Sequence, residues 1–181
     1  MRRALGWVLA VAMGVVAPVG AEGIAVAAST AAPYCGITWG SLDKSADPHL
    51  GAGPVTNIRA GRHDCFDRLV LDINGPAATY TAGYVDAVYE DASGAQVPLR
   101  GGAFLHIVVI AYSYTSKVPA NRTDVVDVAD WQTFRQVALV GNFESHYSVG
   151  LGVRARLPFR VFTLDGPGNG SRLVVDVAHQ W

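Results

Sequence analysis

Three arginines, Arg154, Arg156 and Arg160, form the densest basic cluster of the chain. In an extended run from Val153 to Arg160, period-2 alternation puts all three guanidinium groups on one face. Planar guanidinium forks grip carboxylate or phosphate oxygens in pairs, so the cluster is a candidate anion site. The competing reading is a solvated strand face. Tyr112 and Tyr114, with Trp131 further on, are the second candidate group. Such rings offer a platform to a sugar, or else anchor a connection against the core.

Catalysis finds less support. Asp64, Asp67 and Asp72 put three carboxylates in one segment, but a glycosidase needs two that converge across a cleft. His49, His63, His106, His146 and His179 are scattered, with none at the i, i+4 spacing of a helical metal pair. His63 and Asp64 are neighbours, and neighbours on a strand point to opposite faces. No serine stands in a Gly-x-Ser-x-Gly elbow. The turn from Gly166 to Gly170 leads into a strand rather than a helix, so it is no phosphate cradle. The expectation is a protein with no catalytic residue, no metal site and no cofactor.

The elements that must position these residues are strands. Arg68-Leu69-Val70-Leu71-Asp72-Ile73 recurs as Arg172-Leu173-Val174-Val175-Asp176-Val177. Both copies alternate, with Leu, Ile and Val on one side and Arg, Val and Asp on the other, as half-buried strands do. Paired antiparallel with Val70 opposite Val174, each Arg faces the other strand's Asp, a cross-strand pair worth about 0.2–1 kcal/mol. Further strand-like runs are Val55–Ala60, Tyr80–Tyr89, Ala95–Leu99, Phe104–Ala111, Phe134–Val140, Tyr147–Val153 and Phe159–Leu164. Gly, Pro, Asn and Asp turns separate several of them. No 3.6-residue period is sustained, although Asp130 to Phe134 suggests a short helical turn capped by Asp130. Tyr112 to Val128 is the one long irregular connection. The fold class is all-β, a β-sandwich of two small, mainly antiparallel sheets.

Met1-Arg2-Arg3 followed by an apolar run from Ala4 to Val19 has the form of a secretory signal peptide, with small-residue cleavage sites between Ala21 and Ser29. An uncleaved anchor is the alternative. The expected organisation is a leader over 1–28, an irregular segment over 29–54, and a sandwich domain over 55–181. The chain has 14 Lys plus Arg against 15 Asp plus Glu, a balance that argues against nucleic acid or an anionic membrane as partner. Cys35 and Cys65 are the only cysteines. In an exported protein such a pair most naturally forms a disulfide, which would tie the irregular segment to the domain. A lipid-modified Cys35 is disfavoured because Ala32-Pro33-Tyr34 lacks a lipobox pattern. Zinc is disfavoured because no His stands at ligand spacing.

Four stretches carry a family resemblance: Cys35 to Leu42, Arg62-His63-Asp64-Cys65-Phe66-Asp67-Arg68-Leu69-Val70, Gly150 to Phe162, and Ser171 to Val177. Together they resemble the AMIN-like domain proteins of actinobacteria, and the last is similar to the end of AMIN domains more widely. The resemblance implies an exported two-sheet β-sandwich of the cell envelope. In the wider family the domain is a non-catalytic module attached to amidases or secretins, and some members bind peptidoglycan. The resemblance thus implies a secreted, non-catalytic domain with a cell-wall polymer such as peptidoglycan as partner, and no stable membrane anchor after cleavage. The alternative partner is an envelope protein, docked through an exposed edge strand or the Tyr112–Val128 connection. An unrecognised hydrolase stands third.

Overall fold

The computed structural model describes residues 33–48 and 53–181. The expected leader, its cleavage positions and His49 lie outside the described residues. The strands are β1 (Lys44–Ala46), β2 (Val55–Arg62), β3 (Phe66–Ile73), β4 (Tyr80–Val85), β5 (Val88–Tyr89), β6 (Gln96–Val97), β7 (Ala103–Ile110), β8 (Phe134–Phe143), β9 (His146–Val153), β10 (Phe159–Asp165) and β11 (Ser171–Ala178). Among the described residues there is no α-helix, only single 3-10 turns at Tyr34–Gly36 and Ser113–Thr115.

Two antiparallel sheets pack face to face, one in the order β1-β4-β7-β9-β8 and the other β10-β11-β3-β2. Their facing side chains make one core. Leu69, Leu71, Ile73, Leu173, Val175 and Val177 come from the four-stranded sheet, and Leu105, Ile107, Val109, Val149 and Leu151 from the other. The alternation in the repeated phrase therefore does what it predicts: odd-numbered residues of β3 and β11 enter the core and even-numbered ones form the outer face. The expected β-sandwich is the observed fold.

Three local expectations are corrected. The run Tyr80–Tyr89 is interrupted at Asp86 and Ala87, so β5 leaves the sheet and pairs with β6 in a separate ribbon. A three-residue strand, β1, lies inside the Gly/Ala/Pro/Ser-rich segment and pairs Lys44 with Ala82; three small or polar residues carry no period to detect. Asp130 opens no helical turn. It has φ 60° in a tight turn, and the chain proceeds through bends straight into β8.

The β5–β6 ribbon and the residues after it fold over the outer face of the five-stranded sheet. Glycines permit the close approach. A Cβ on Gly150 would come within 2.9 Å of the Leu99 side chain, and one on Gly152 within 1.9 Å of the Arg100 carbonyl oxygen. The Asp91 carboxylate accepts a hydrogen bond from Ser148 Oγ at 2.6 Å, and the Gln136 Oε1 accepts from the Arg100 N–H at 2.7 Å. Over β8 and β9 this outer face is closed.

Cys35 and Cys65 form the expected disulfide, with their Cα atoms 6.4 Å apart and a separation of 30 positions in sequence. It joins the N-terminal segment to the start of β3. Replacing both cysteines by alanine is expected to cost about 3.6 kcal/mol, the chain-entropy value for a loop of this size. Urea denaturation of the variant beside the oxidised wild type measures it; an unchanged midpoint refutes it.

Candidate functional site

On the outer face of the four-stranded sheet the register is Arg68 opposite Asp176, Val70 opposite Val174, and Asp72 opposite Arg172. This is the pairing expected from the repeated phrase. Arg68 binds Asp176 in a bidentate manner, at 2.6 and 2.9 Å. Asp176 is fully buried. A second cation, Arg160 of β10, donates to Asp176 Oδ2 from Nε at 2.8 Å and lies within 2.7 Å of it through Nη2. The other half of the expectation is only partly met. Arg172 donates to the Asp165 carbonyl at 2.8 Å, and Asp72 is held instead by Arg59 of β2 at 2.9 and 3.0 Å.

Rings enclose the first set. The Arg160 guanidinium lies 5.5, 5.4 and 4.9 Å from the ring centroids of Trp39, Phe66 and Phe162. Arg68 lies 5.1 Å from Phe66 and 5.5 Å from Phe162. Cation–π contacts of this kind hold a guanidinium in place while leaving its charge unneutralised. Trp39 reaches this site by two ties, the disulfide and a bridge in which the Phe159 N–H donates to the Gly40 carbonyl at 2.8 Å. Arg68 and Arg160 keep 23% and 32% of their side-chain surface exposed, so both remain within reach of solvent.

The three arginines do not share a face. β9 ends at Val153 in one sheet and β10 begins at Phe159 in the other. The residues between them cross the edge of the sandwich through a tight turn, with the Leu157 N–H on the Ala155 carbonyl at 2.8 Å. Alternation is lost there. Arg154 donates to the carbonyls of Gln132 and His179 and fastens the chain's end. Arg156 lies 4.8 Å over the Tyr84 ring. The Tyr84 hydroxyl in turn donates to the Leu157 carbonyl and accepts from the Leu157 N–H. Burial pushes that hydroxyl's pKa up to about 12, against the opposing pull of the Leu157 bond and Arg156. Only Arg160 joins the carboxylate-and-ring site.

The aromatic trio is also divided. Trp131 stacks on Phe134 with centroids 6.0 Å apart, at the start of β8, with Arg62 over its ring. Tyr112 and Tyr114 follow β7, whose last residue, Ile110, pairs through His146 to Phe143 at the far end of β8. The length of β8, about 30 Å at 3.3 Å per residue, separates the two groups. Tyr114 is wholly exposed and Tyr112 mostly so, so neither anchors the loop. With Ile110 and Phe143 they make an exposed apolar tip. Their connection runs along sheet edges, where the Lys117 N–H donates to Val55 and the Val125 N–H to Val137.

The carboxylates of the Asp64–Asp72 segment do not converge. Asp67 is fully buried, its Oδ2 accepting the N–H groups of Thr133 and Phe134 at 2.8 and 2.9 Å. Thr133 Oγ1 lies 2.9 Å from His179 Nδ1, a contact that evokes a nucleophile and base. Both residues are buried, and the arrangement stitches the two sheets together. His106, on β7, has its pKa lowered by burial, partly offset by Asp91. A depressed histidine value means stability is full above the unfolded value near 6.5 and falls as pH drops through the lower folded value. His106→Gln is therefore expected to flatten the loss of stability between pH 7 and pH 5, read from urea midpoints. An unchanged slope contradicts this assignment.

The family model for the AMIN-like domain matches residues 53–179. The chain belongs to the AMIN-like family. AMIN-like domains are in general non-catalytic binding modules related to the cell envelope, and the disulfide fits an extracytoplasmic AMIN-like protein. No curated protein and no solved structure matches this AMIN-like chain. No helix among its described residues is long and apolar enough to cross a membrane. Sequence reasoning found Arg68, Asp176 and Arg160 but missed Trp39, Phe66 and Phe162 as their company, and Arg59 as the partner of Asp72. The spacing of Arg160 and Phe162, two apart on one strand, was the available signal for Phe162.

Proposed function

We propose that this AMIN-like domain is a secreted, non-catalytic binding module that takes peptidoglycan on the outer face of its four-stranded sheet. The observation that carries the reading is Asp176 between Arg68 and Arg160: two cations on one buried carboxylate leave a net positive charge, held by rings and open to solvent. A carboxylate on a wall peptide supplies the missing anion, and guanidinium forks suit it. The β5–β6 ribbon covers part of the opposite outer face, which favours this one. The leader-like residues 1–28 support export ahead of a domain over 55–181.

Sedimentation with purified peptidoglycan tests the reading. The wild type is expected in the pellet well above an unrelated β-sandwich, and the Arg160→Ala variant depleted from it. Equal sedimentation of wild type and control overturns it. A second reading, docking to an envelope protein, is favoured by the exposed tip of Ile110, Tyr112, Tyr114 and Phe143. A photo-crosslinker at Tyr114 in intact cells tests that; one specific protein adduct supports it, and its absence counts against it.

A further inference from the structure

Because Val70 lies opposite Val174, a local two-fold axis between these valines relates the two copies of the repeated phrase. The rotation exchanges Arg68 with Arg172 and Asp72 with Asp176. It also exchanges the flanking strands, β10 with β2, and each of these supplies one more arginine to the same outer face, Arg160 and Arg59. The face therefore carries two stations of like composition. One is Asp176 gripped by Arg68 and Arg160, and the other is Asp72 gripped by Arg59, with Arg172 opposite it in register and bonded to the Asp165 carbonyl. Each has two guanidinium groups for one carboxylate. Their centres are four residues apart along β3, about 13 Å at 3.3 Å per residue. Between them Val70 and Val174 are covered by their neighbours, at 4% and 1% exposure.

We propose that these stations form a bivalent receptor that engages two successive carboxylates of one linear polymer, an inference that rests on the peptidoglycan reading and specifies its ligand. The charge argument applies at both stations, since each binds one incoming monoanion without excess charge of either sign. A carboxylate suits each station better than a phosphate dianion, which would meet the resident aspartate with greater repulsion. The second station is open through Arg59, which is half exposed, while Arg172 Nε is buried without a partner among the described residues. Beside it lies a cleft of about 520 Å³ lined by Thr56, Arg59, Asp72, Asn74 and Asn169, a size that accommodates a small ligand. The amides and hydroxyl of that cleft can hydrogen-bond to the hydroxyl groups of a polymer continuing past the station.

Two contacts on one chain make the second binding event intramolecular, which raises avidity by about 10²–10⁴ over a single contact. Three measurements on the full chain test this. In sedimentation with purified peptidoglycan, Arg59→Ala and Arg160→Ala are each expected to raise the half-saturating amount of polymer at least about tenfold, and the double variant to abolish retention. Soluble fragments carrying a single peptide, made by complete digestion of the same wall, are expected to compete only at about 100-fold or higher excess over the intact polymer. Carbodiimide amidation of the polymer's carboxylates is expected to release the wild type. That arm needs no variant and stands even if Arg160→Ala disturbs folding.

The outcomes separate the two claims. Failure of the wild type to sediment overturns the peptidoglycan reading and this inference together. Retention lost in Arg160→Ala but unchanged in Arg59→Ala leaves the reading standing and overturns bivalency, as does equal competition by single-peptide fragments. Retention that survives amidation, or that depends on phosphate polymer left on the wall, overturns the carboxylate assignment.

Discussion

Replacing Arg68 and Arg160 together by methionine is expected to lower the unfolding free energy by about 3–5 kcal/mol, the cost of stranding a buried charge without its partners. Asp176 has no exposed surface, and the described residues offer it no other cation. Methionine keeps much of the arginine stem's packing volume, so the loss reports the charge rather than a cavity. The control is a third substitution, Asp176→Leu, in the same background. Removing the stranded carboxylate should restore most of the loss, since apolar replacement of a whole buried ion cluster is often neutral or stabilising. Chemical denaturation of the three proteins decides it. A double variant within about 1 kcal/mol of the wild type would place the Asp176 charge in an environment far more forgiving than its burial indicates.

Asp67→Ala is expected to cost about 3–6 kcal/mol, from two buried N–H groups losing a carboxylate acceptor at about 1.5–3 kcal/mol each. Those groups belong to Thr133 and Phe134, at the entry to β8, while Asp67 lies on β3 in the other sheet. The bonds thus tie the sheets at the disulfide end. Asp67→Asn keeps an oxygen for both N–H groups and is expected to fall within about 2 kcal/mol of wild type, since only the charge assistance is lost. Melting curves of the two variants separate the explanations. Equal destabilisation would mean that the charge of Asp67, rather than its role as acceptor, is what the fold requires.

The sandwich and the register of its central strands were legible in the sequence because the repeated phrase carries a strict two-residue period. Val70 opposite Val174 is the register that lets each Arg of the phrase face the other copy's Asp, and it is the one observed. The enclosure of the Asp176 site was not legible, because one of the rings around Arg160 is Trp39, far upstream and brought into place by a disulfide and a single backbone bridge. The common face of Arg154, Arg156 and Arg160 failed for a definite reason. Alternation applies only within one sheet, and Pro158 follows a segment passing from β9 to β10 in different sheets. The aromatic trio failed similarly, since proximity in sequence across a loop says nothing about which end of a long strand each residue reaches. Asp130 was misread because Asp favours both helix caps and left-handed turns, and here the turn prevails.

The ribbon lying on the glycines of β9 also governs how many layers one copy can join. A sandwich with two open outer faces could hold one polymer on each and staple them. With β8 and β9 roofed over by Leu99 and Arg100, a single AMIN-like domain, on the peptidoglycan reading proposed above, offers its receptor on one sheet and a partly covered face on the other. On that reading it would tile a wall surface as a monolayer and add no cross-links, leaving the mesh as extensible as before. Bulk stiffness of the polymer should therefore be indifferent to saturation by this protein.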